Sequence, residues 1–306
     1  MLRFLFAGLL FVLATSGASA LDLADRVVGR VSVFSNDYLG DGRDRWRSGA
    51  YFRSTFFGTA WTGDLPSRKP LLEFRLRGET ISPSDLSAPP TSGERPYVGV
   101  VAAGLFGHWG RGNSGFKLGA ELVATGPQTG VADFVEWSHE LLGFPTVRAT
   151  SGQLGDAFYP TVTAEAYRIV TRSGRRSFDL RPFFEVQAGV ETLARAGVDL
   201  MFGPGIDGAL LTRDPVTGHV LTVATVQRQH GLMPSIGADV AYVASSEYLP
   251  ASSGLKVERL RMRARAGARY FADGRDFFVG FTWLGPEYTT QRSGQVLGSL
   301  SLNLRY

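Results

Sequence analysis

The chain has 306 residues, 44% of them hydrophobic, with 38 glycines, no cysteine and a formal net charge of +4. The lack of cysteine removes disulfide scaffolds, zinc–thiolate sites and cysteine nucleophiles, and nothing past the amino terminus offers the roughly eighteen consecutive apolar residues of a membrane helix. The pI near 9.5 does not point to nucleic acid, because the arginines are dispersed and form no basic block.

Residues 1–20 read as a secretory signal peptide. Arg3 supplies the positive n-region, Phe4 to Ala14 the apolar core, and Ala18-Ser19-Ala20 the small-residue cleavage site, so that Leu21 is the expected mature start. The remaining 21–306 is expected to be one domain, since it contains no linker, repeat or low-complexity tract.

From there the dominant pattern is alternation with a period of two, the mark of strands with one wet and one greasy face. Twelve strands are predicted, over 26–36, 47–58, 69–80, 96–107, 114–125, 158–170, 177–190, 192–203, 232–244, 257–271, 276–288 and 296–306. The expected fold is all-β: a transmembrane antiparallel β-barrel of about 12 strands with a short helix in an extracellular loop. An even strand count is what single-chain bacterial barrels require. Turns are expected at Gly63-Asp64, Gly110 to Asn113, Ser173-Gly174 and Asp273-Gly274. The stretch 205–231 reads either as a long loop or as extensions of the neighbouring strands.

Three strands carry charge on one face. Glu73, Arg75, Arg77 and Glu79 alternate with Leu72, Phe74 and Leu76, and Asp179, Arg181, Glu185 and Gln187 alternate with Phe178, Leu180, Phe184 and Val186. Arg259, Arg261, Arg263, Arg265 and Arg269 alternate with Leu260, Met262, Ala264, Ala268 and Tyr270. A row of guanidinium groups needs water or carboxylates, so the expectation is a lumen packed with ion pairs and not an open pore. The closing segment places Leu300, Leu302, Leu304 and Tyr306 on one face and Ser299, Ser301, Asn303 and Arg305 on the other. Outer-membrane barrels commonly end on such an aromatic-tipped strand. A soluble sandwich with one basic face is the plainer alternative.

With the amino terminus in the periplasm, the loops 37–46, 81–95 and 126–157 lie outside. The third contains the one good helical stretch, Ala132 to Leu142, whose Val131, Phe134, Val135, Trp137, Leu141 and Leu142 give an amphipathic pattern near the membrane surface. Polar residues able to do chemistry converge on the same rim. Asn36 and Asp37 close the first strand, Asp44 and Ser48 open the second, and His139 lies on the helix. An imidazole is the natural base near neutral pH, and carboxylate, amide and hydroxyl oxygens suit a hard cation such as calcium. Taken singly, an Asn-Asp pair at a strand end is usually a turn and a surface histidine is usually solvated. No acidic or hydroxyl companion is expected beside His108, His219 or His230.

The order of these pieces resembles the lipid A 3'-O-deacylase (LpxR-type) family of outer-membrane barrels. The resemblance runs through Ser35-Asn36-Asp37, Asp44-Arg45-Trp46-Arg47-Ser48, Arg95-Pro96-Tyr97-Val98-Gly99, Gly126-Pro127, Ser138-His139-Glu140-Leu141-Leu142-Gly143, Gly285-Pro286-Glu287-Tyr288 and the closing strand. It implies an outer-membrane enzyme of a Gram-negative bacterium, a carboxylic ester hydrolase that removes the 3'-acyloxyacyl chain of lipid A in the outer leaflet with Ca2+. By the resemblance, Asn36 and Asp37 orient the site and hold the cation, and Ser48 stands for the family's threonine. His139 is the base that activates water, and Arg43 or Arg45 is available to a lipid A phosphate. Two positions depart from the family pattern. The loop Ile81 to Glu94 has no lysine, Arg95 being the nearest cation, and Val135 stands where relatives carry a glutamine. A catalytically silent structural or lipid-binding barrel and a narrow porin are the competing readings. No nucleic acid, organic cofactor or soluble protein partner is expected, and the sequence is silent on oligomeric state.

Overall fold

The computed structural model describes residues 26–58, 60–91, 93–172, 178–203, 206, 208–226, 230–272 and 275–304, with backbone alone at 171, 172 and 304. The predicted signal peptide, the predicted turns at Ser173-Gly174 and Asp273-Gly274, and the last two residues of the predicted closing strand lie outside these. The barrel is built from β1 (Val27–Asn36), β2 (Trp46–Phe57), β3 (Leu71–Ser82), β4 (Val98–Arg111), β5 (Ser114–Thr125) and β6 (Ala157–Arg168). A short continuation, β7 (Val170–Arg172), follows β6. The wall then proceeds through β8 (Phe178–Ala188), β9 (Glu191–Phe202), β12 (Gly231–Ser246), β13 (Leu260–Ala272), β14 (Arg275–Leu284) and β15 (Gln295–Leu304).

Every neighbouring pair is antiparallel, and β15 returns to β1 with Phe34 opposite Leu300 and Asn36 opposite Gly298. Pairing of both β6 and β7 with β8 completes the ring. Counting β6 and β7 as one interrupted stave gives a closed barrel of twelve among the described residues, with no sheet edge exposed to lipid. The alternation divides the faces as the sequence implies. Leu72, Leu105, Phe184, Ile236, Phe281 and Leu302 point outward and are exposed, forming an apolar belt, while the charged partners of the same strands are buried inside.

Within the lumen, carboxylates and guanidinium groups meet across strands. Lys117 lies 2.8 Å from Glu165, Arg195 2.7 Å from Glu185, Arg263 2.9 Å from Asp239, and Arg265 contacts both Asp239 and Asp199 at 2.5 Å. Arg269 pairs with Asp276. Arg259 departs from its row. It precedes the start of β13 at Leu260 and lies exposed, its Nη1 3.3 Å from the Tyr242 hydroxyl, so the expected five-arginine lumenal face contains four. His108 and His219 also differ from expectation. Nε2 of His108 is 2.6 Å from Glu73 Oε2, and Nε2 of His219 is 3.0 Å from Thr282 Oγ1, both deep in the lumen.

The largest correction concerns 205–231, which neither loops out nor lengthens β9 and β12. It carries a β-hairpin, β10 (Leu210–Arg213) and β11 (Val220–Ala224), folded into the barrel. Leu210, Leu221 and Val223 pack on Val31, Phe52, Phe56 and Phe278. At the hairpin tip, Val216 reaches Ala50, Leu284 and Leu297. Asp214 closes the tip by accepting the N–H groups of Val216 (3.1 Å) and Thr217 (3.2 Å), and Gly218 supplies the left-handed conformation at φ 78°. Above the hairpin remains a chamber of about 80 Å3 between Arg47, Glu79, Glu191, Arg261 and Glu287. An interior filled in this way leaves little for a porin-type bore.

Candidate active site

The rim that carries the carboxyl end of β1, here the upper rim, also carries the loops 37–45, 83–97 and 126–156. In the last of these, α1 (Val131–Leu142) begins after Gly130 at φ 68° and ends at Gly143 at φ 71°, whose N–H returns to the Glu140 and His139 carbonyls. Its inner side seats Ala132 and Val135 on Leu86, Tyr97, Val147 and Ala149. The helix stands off the outside of the barrel wall, and the space between them is a cleft of about 810 Å3. Phe34, Tyr38, Leu86, Phe134 and Leu142 give it apolar walls. Asn36, Asp44, Ser48 and His139 gather at its upper end.

A β-bulge delivers one of these groups. Arg47 of β2 opposes Ile81 and Gly49 opposes Thr80, so Ser48 is an extra residue in the ladder. The bulge sends Arg47 into the lumen, 2.6 Å from Glu79 and 2.7 Å from Glu287, while Ser48 lines the cleft and donates its hydroxyl to Asp44. His139 is held at both ring nitrogens. Nδ1 donates to the Pro145 carbonyl at 2.9 Å, which fixes the tautomer, and Nε2 lies 3.1 Å from Asp44 Oδ2. Phe144 meets the imidazole edge-on at 5.5 Å and Tyr38 at 5.4 Å, which limits the ring's rotation. With the Nδ1 proton committed to a carbonyl, Nε2 is the ring nitrogen that faces the Asp44 carboxylate.

Asn36 turns its Oδ1 to the Tyr38 N–H at 2.8 Å, an Asx turn, and still reaches the cleft. Asp37 is fully buried beneath it. Oδ2 accepts the Arg45 N–H at 2.7 Å, and Oδ1 has no hydrogen-bond partner in the protein. Burial, with added repulsion from Asp44 and Asp41, pushes its carboxyl group up from 3.8 to about 8. The two arginines separate: Arg43 is exposed on the cleft wall, whereas Arg45 binds Asp41 at 3.0 Å and stacks 4.1 Å above the Trp46 ring. The role of Asp44 as the link between Ser48 and His139 was not legible from the sequence, and neither was Asp85, which the second upper loop brings to the cleft.

A family model described as "Outer membrane protein LpxR" matches residues 5–306. The chain belongs to the LpxR family. Among solved structures it is similar to "LpxR from Salmonella typhimurium", with a TM-score of 0.76 at 14% identity, covering 91% of this chain and 100% of that one. The β domain of the Bordetella autotransporter BrkA matches less well, with a TM-score of 0.46 at 8% identity over 92% of this chain and 100% of that one. A comparison with curated proteins finds no match. Membership of the LpxR family and the closed barrel place the protein in the outer membrane of a Gram-negative bacterium, among barrels of the lipid A deacylase type.

The two departures from the LpxR-type pattern have visible surroundings. Arg95 does not take the place of the missing lysine. It is fully buried and pairs with Glu287 at the top of the lumen, away from the cleft. Val135 lies on the cleft wall and packs on the Leu86–Tyr97 cluster, so its apolar side chain helps seat α1 on the rim.

Proposed function

We propose that this protein is a lipid A deacylase that hydrolyses the ester of the 3'-acyloxyacyl chain in the outer leaflet, with His139 as the base. The observation that carries this reading is the direction of the cleft. Its polar cluster lies at the rim, and Phe34 and Tyr51, which belong to the outward-facing belt, lie one row below on the wall. A bound amphiphile therefore keeps its head at the membrane surface and its chain at the depth of the lipid. In the reaction His139 Nε2 takes a proton from water, whose oxygen attacks the ester carbonyl. Collapse of the tetrahedral intermediate releases a fatty acid and leaves the sugar hydroxyl, to which the imidazolium returns its proton. Asp44 is positioned to stabilise that imidazolium. Arg43, the one arginine or lysine on the cleft lining among the described residues, is available to a phosphate of the substrate.

The donor chemistry around Asp37 fits a hard cation. Its unpartnered, buried Oδ1 beside Asn36 and the other loop carboxylates is a site where positive charge would relieve both burial and repulsion. Among the described residues no three acidic or imidazole groups converge as a complete metal cage, so the remaining ligands would be backbone, water and substrate oxygens. With Asp37 and Asn36 holding it, a calcium ion would supply stabilisation of the developing oxyanion.

Two outcomes follow for these groups. A carboxyl group held up near 8 must lose its proton before it binds a cation, so calcium affinity is expected to rise with pH up to about 8 and then level off. Calcium titrations of the purified barrel at pH 6, 7 and 8 check this; a flat series, or an Asp37→Asn variant that titrates as the parent does, removes Asp37 from the metal site. Asp44→Asn keeps the size of the group but lacks the charge that faces Nε2, and is expected to lower ester turnover by roughly 10- to 100-fold. Fatty-acid release from lipid A measures it. The reading as a whole is tested by mass spectrometry of lipid A from cells expressing this chain, with and without calcium. Loss of the 3'-acyloxyacyl mass supports it, and an unchanged profile from an assembled barrel favours the silent reading that the absent lysine motivates.

A further inference from the structure

Most glycines of the barrel wall are required by their neighbours. A Cβ on Gly99 would come within 2.9 Å of Val131 Cβ under the start of α1, and one on Gly104 or Gly119 would meet neighbouring backbone within 2.6 Å. Gly78 and Gly49 differ. A Cβ on Gly78 meets nothing nearer than the Val100 carbonyl at 3.9 Å, and one on Gly49 meets the Asn36 amide at 3.5 Å and the Ser35 carbonyl at 4.0 Å. Neither has a positive φ. A strand glycine weakens the sheet by its flexibility and missing side chain; Gly49 follows the Ser48 bulge, whereas at Gly78, in unbroken register with β2 and β4, the fold gains nothing from glycine.

Both residues face the cleft. Their registers make them adjacent: Gly49 stands between Asn36 and Thr80, and one row lower Gly78 stands between Tyr51 and Val101. The path from His139 and Ser48 toward the belt therefore crosses bare backbone, flanked by the Tyr51 ring and covered by α1. Open space over a strand glycine that the protein does not itself need marks close approach of a ligand.

We propose that Gly78, with Gly49 above it, forms the floor of a trough in which the scissile fatty acyl chain lies against the barrel backbone, making Gly78 a specificity-determining position for long straight chains. This rests on the deacylase reading of the same cleft. A chain passing Gly78 has already extended one row beyond the polar cluster, so bulk at this position blocks long chains and spares short acyl groups that end above it.

The test uses the full-length barrel in outer-membrane vesicles. Gly78→Leu is expected to lower release of long-chain fatty acid from lipid A by about tenfold or more, with Gly78→Ala intermediate. Hydrolysis of a short soluble acetyl ester is expected to stay at the parental rate. Ala103→Leu, on β4 outside the cleft lining, places the same side chain on the wall and controls for folding, as does heat-modifiable gel mobility. Undiminished long-chain release by a folded Gly78→Leu barrel overturns the proposal, and equal loss on both substrates reassigns Gly78 to the reacting centre. If the parent cleaves neither ester, the deacylase reading fails, and the trough is judged by a photoreactive long-chain fatty acid alone. Crosslinking to β2–β3 that Gly78→Leu abolishes retains the trough as a lipid site, and crosslinking that survives removes it.

Discussion

His139→Ala is expected to lower lipid A deacylation by about 10²- to 10⁴-fold, the range typical of a lost general base, with the barrel assembled as before. The imidazole contacts the Pro145 carbonyl, Asp44 and the Phe144 ring, all at the upper rim, and none of the lumenal ion pairs. Its loss removes the group that can carry the water proton and leaves the wall untouched. The comparison is lipid A mass spectra from cells expressing parent and variant, beside heat-modifiable mobility of each barrel. An assembled variant with full activity would displace His139 as the base and leave the Asp44–Ser48 pair without a catalytic partner. A variant that fails to assemble would show instead that the Nδ1 bond to Pro145 is what folds the loop after α1.

How much of this was legible in the sequence depends on which contacts are local. A strand that faces lipid on one side and a charged interior on the other must alternate, so the staves could be read from residues such as Glu73 to Glu79 with only their ends displaced. The hairpin β10–β11 escaped because it is enclosed. Leu210, Thr212, Arg213, Leu221, Thr222 and Val223 are all buried, and a strand buried on both faces has no period of two to detect. Arg259 continued the parity of its row but lies one residue before β13 begins.

At the site, Asn36, Ser48 and His139 could be picked out as polar residues at a common rim. The bulge at Ser48 could not, because a one-residue register change leaves no trace in composition. Asp44 gains its role only when α1, some ninety residues further along the chain, docks His139 above it. Arg95 was the nearest cation in sequence to the missing lysine, yet its partner Glu287 is 192 residues away and draws it inward.

The lumen gives the second large effect. Asp239→Ala is expected to destabilise the barrel by about 3–5 kcal/mol, the range for breaking a buried pair from one side. Its carboxylate accepts from Arg263 Nε at 2.9 Å and Arg265 Nη1 at 2.5 Å, and lies 3.3 Å from Arg195 Nε. The three arginines do not lose equally. Arg265 keeps Asp199 and Arg195 keeps Glu185, whereas Arg263 retains only the Pro215 and Val216 carbonyls of the hairpin tip. The variant thus strands one guanidinium in a closed interior and loosens the hold of β13 on the hairpin. Asp239→Asn keeps an acceptor oxygen and should fall between the variant and the parent. Urea unfolding midpoints, with heat resistance on semi-native gels, rank the three proteins. Because the cleft lies on the outer side of the wall, Asp239→Ala should keep its lipid A activity below its unfolding transition. Unchanged stability would mean that water entering the lumen solvates Arg263, and that the ion pairs there are worth no more than surface ones.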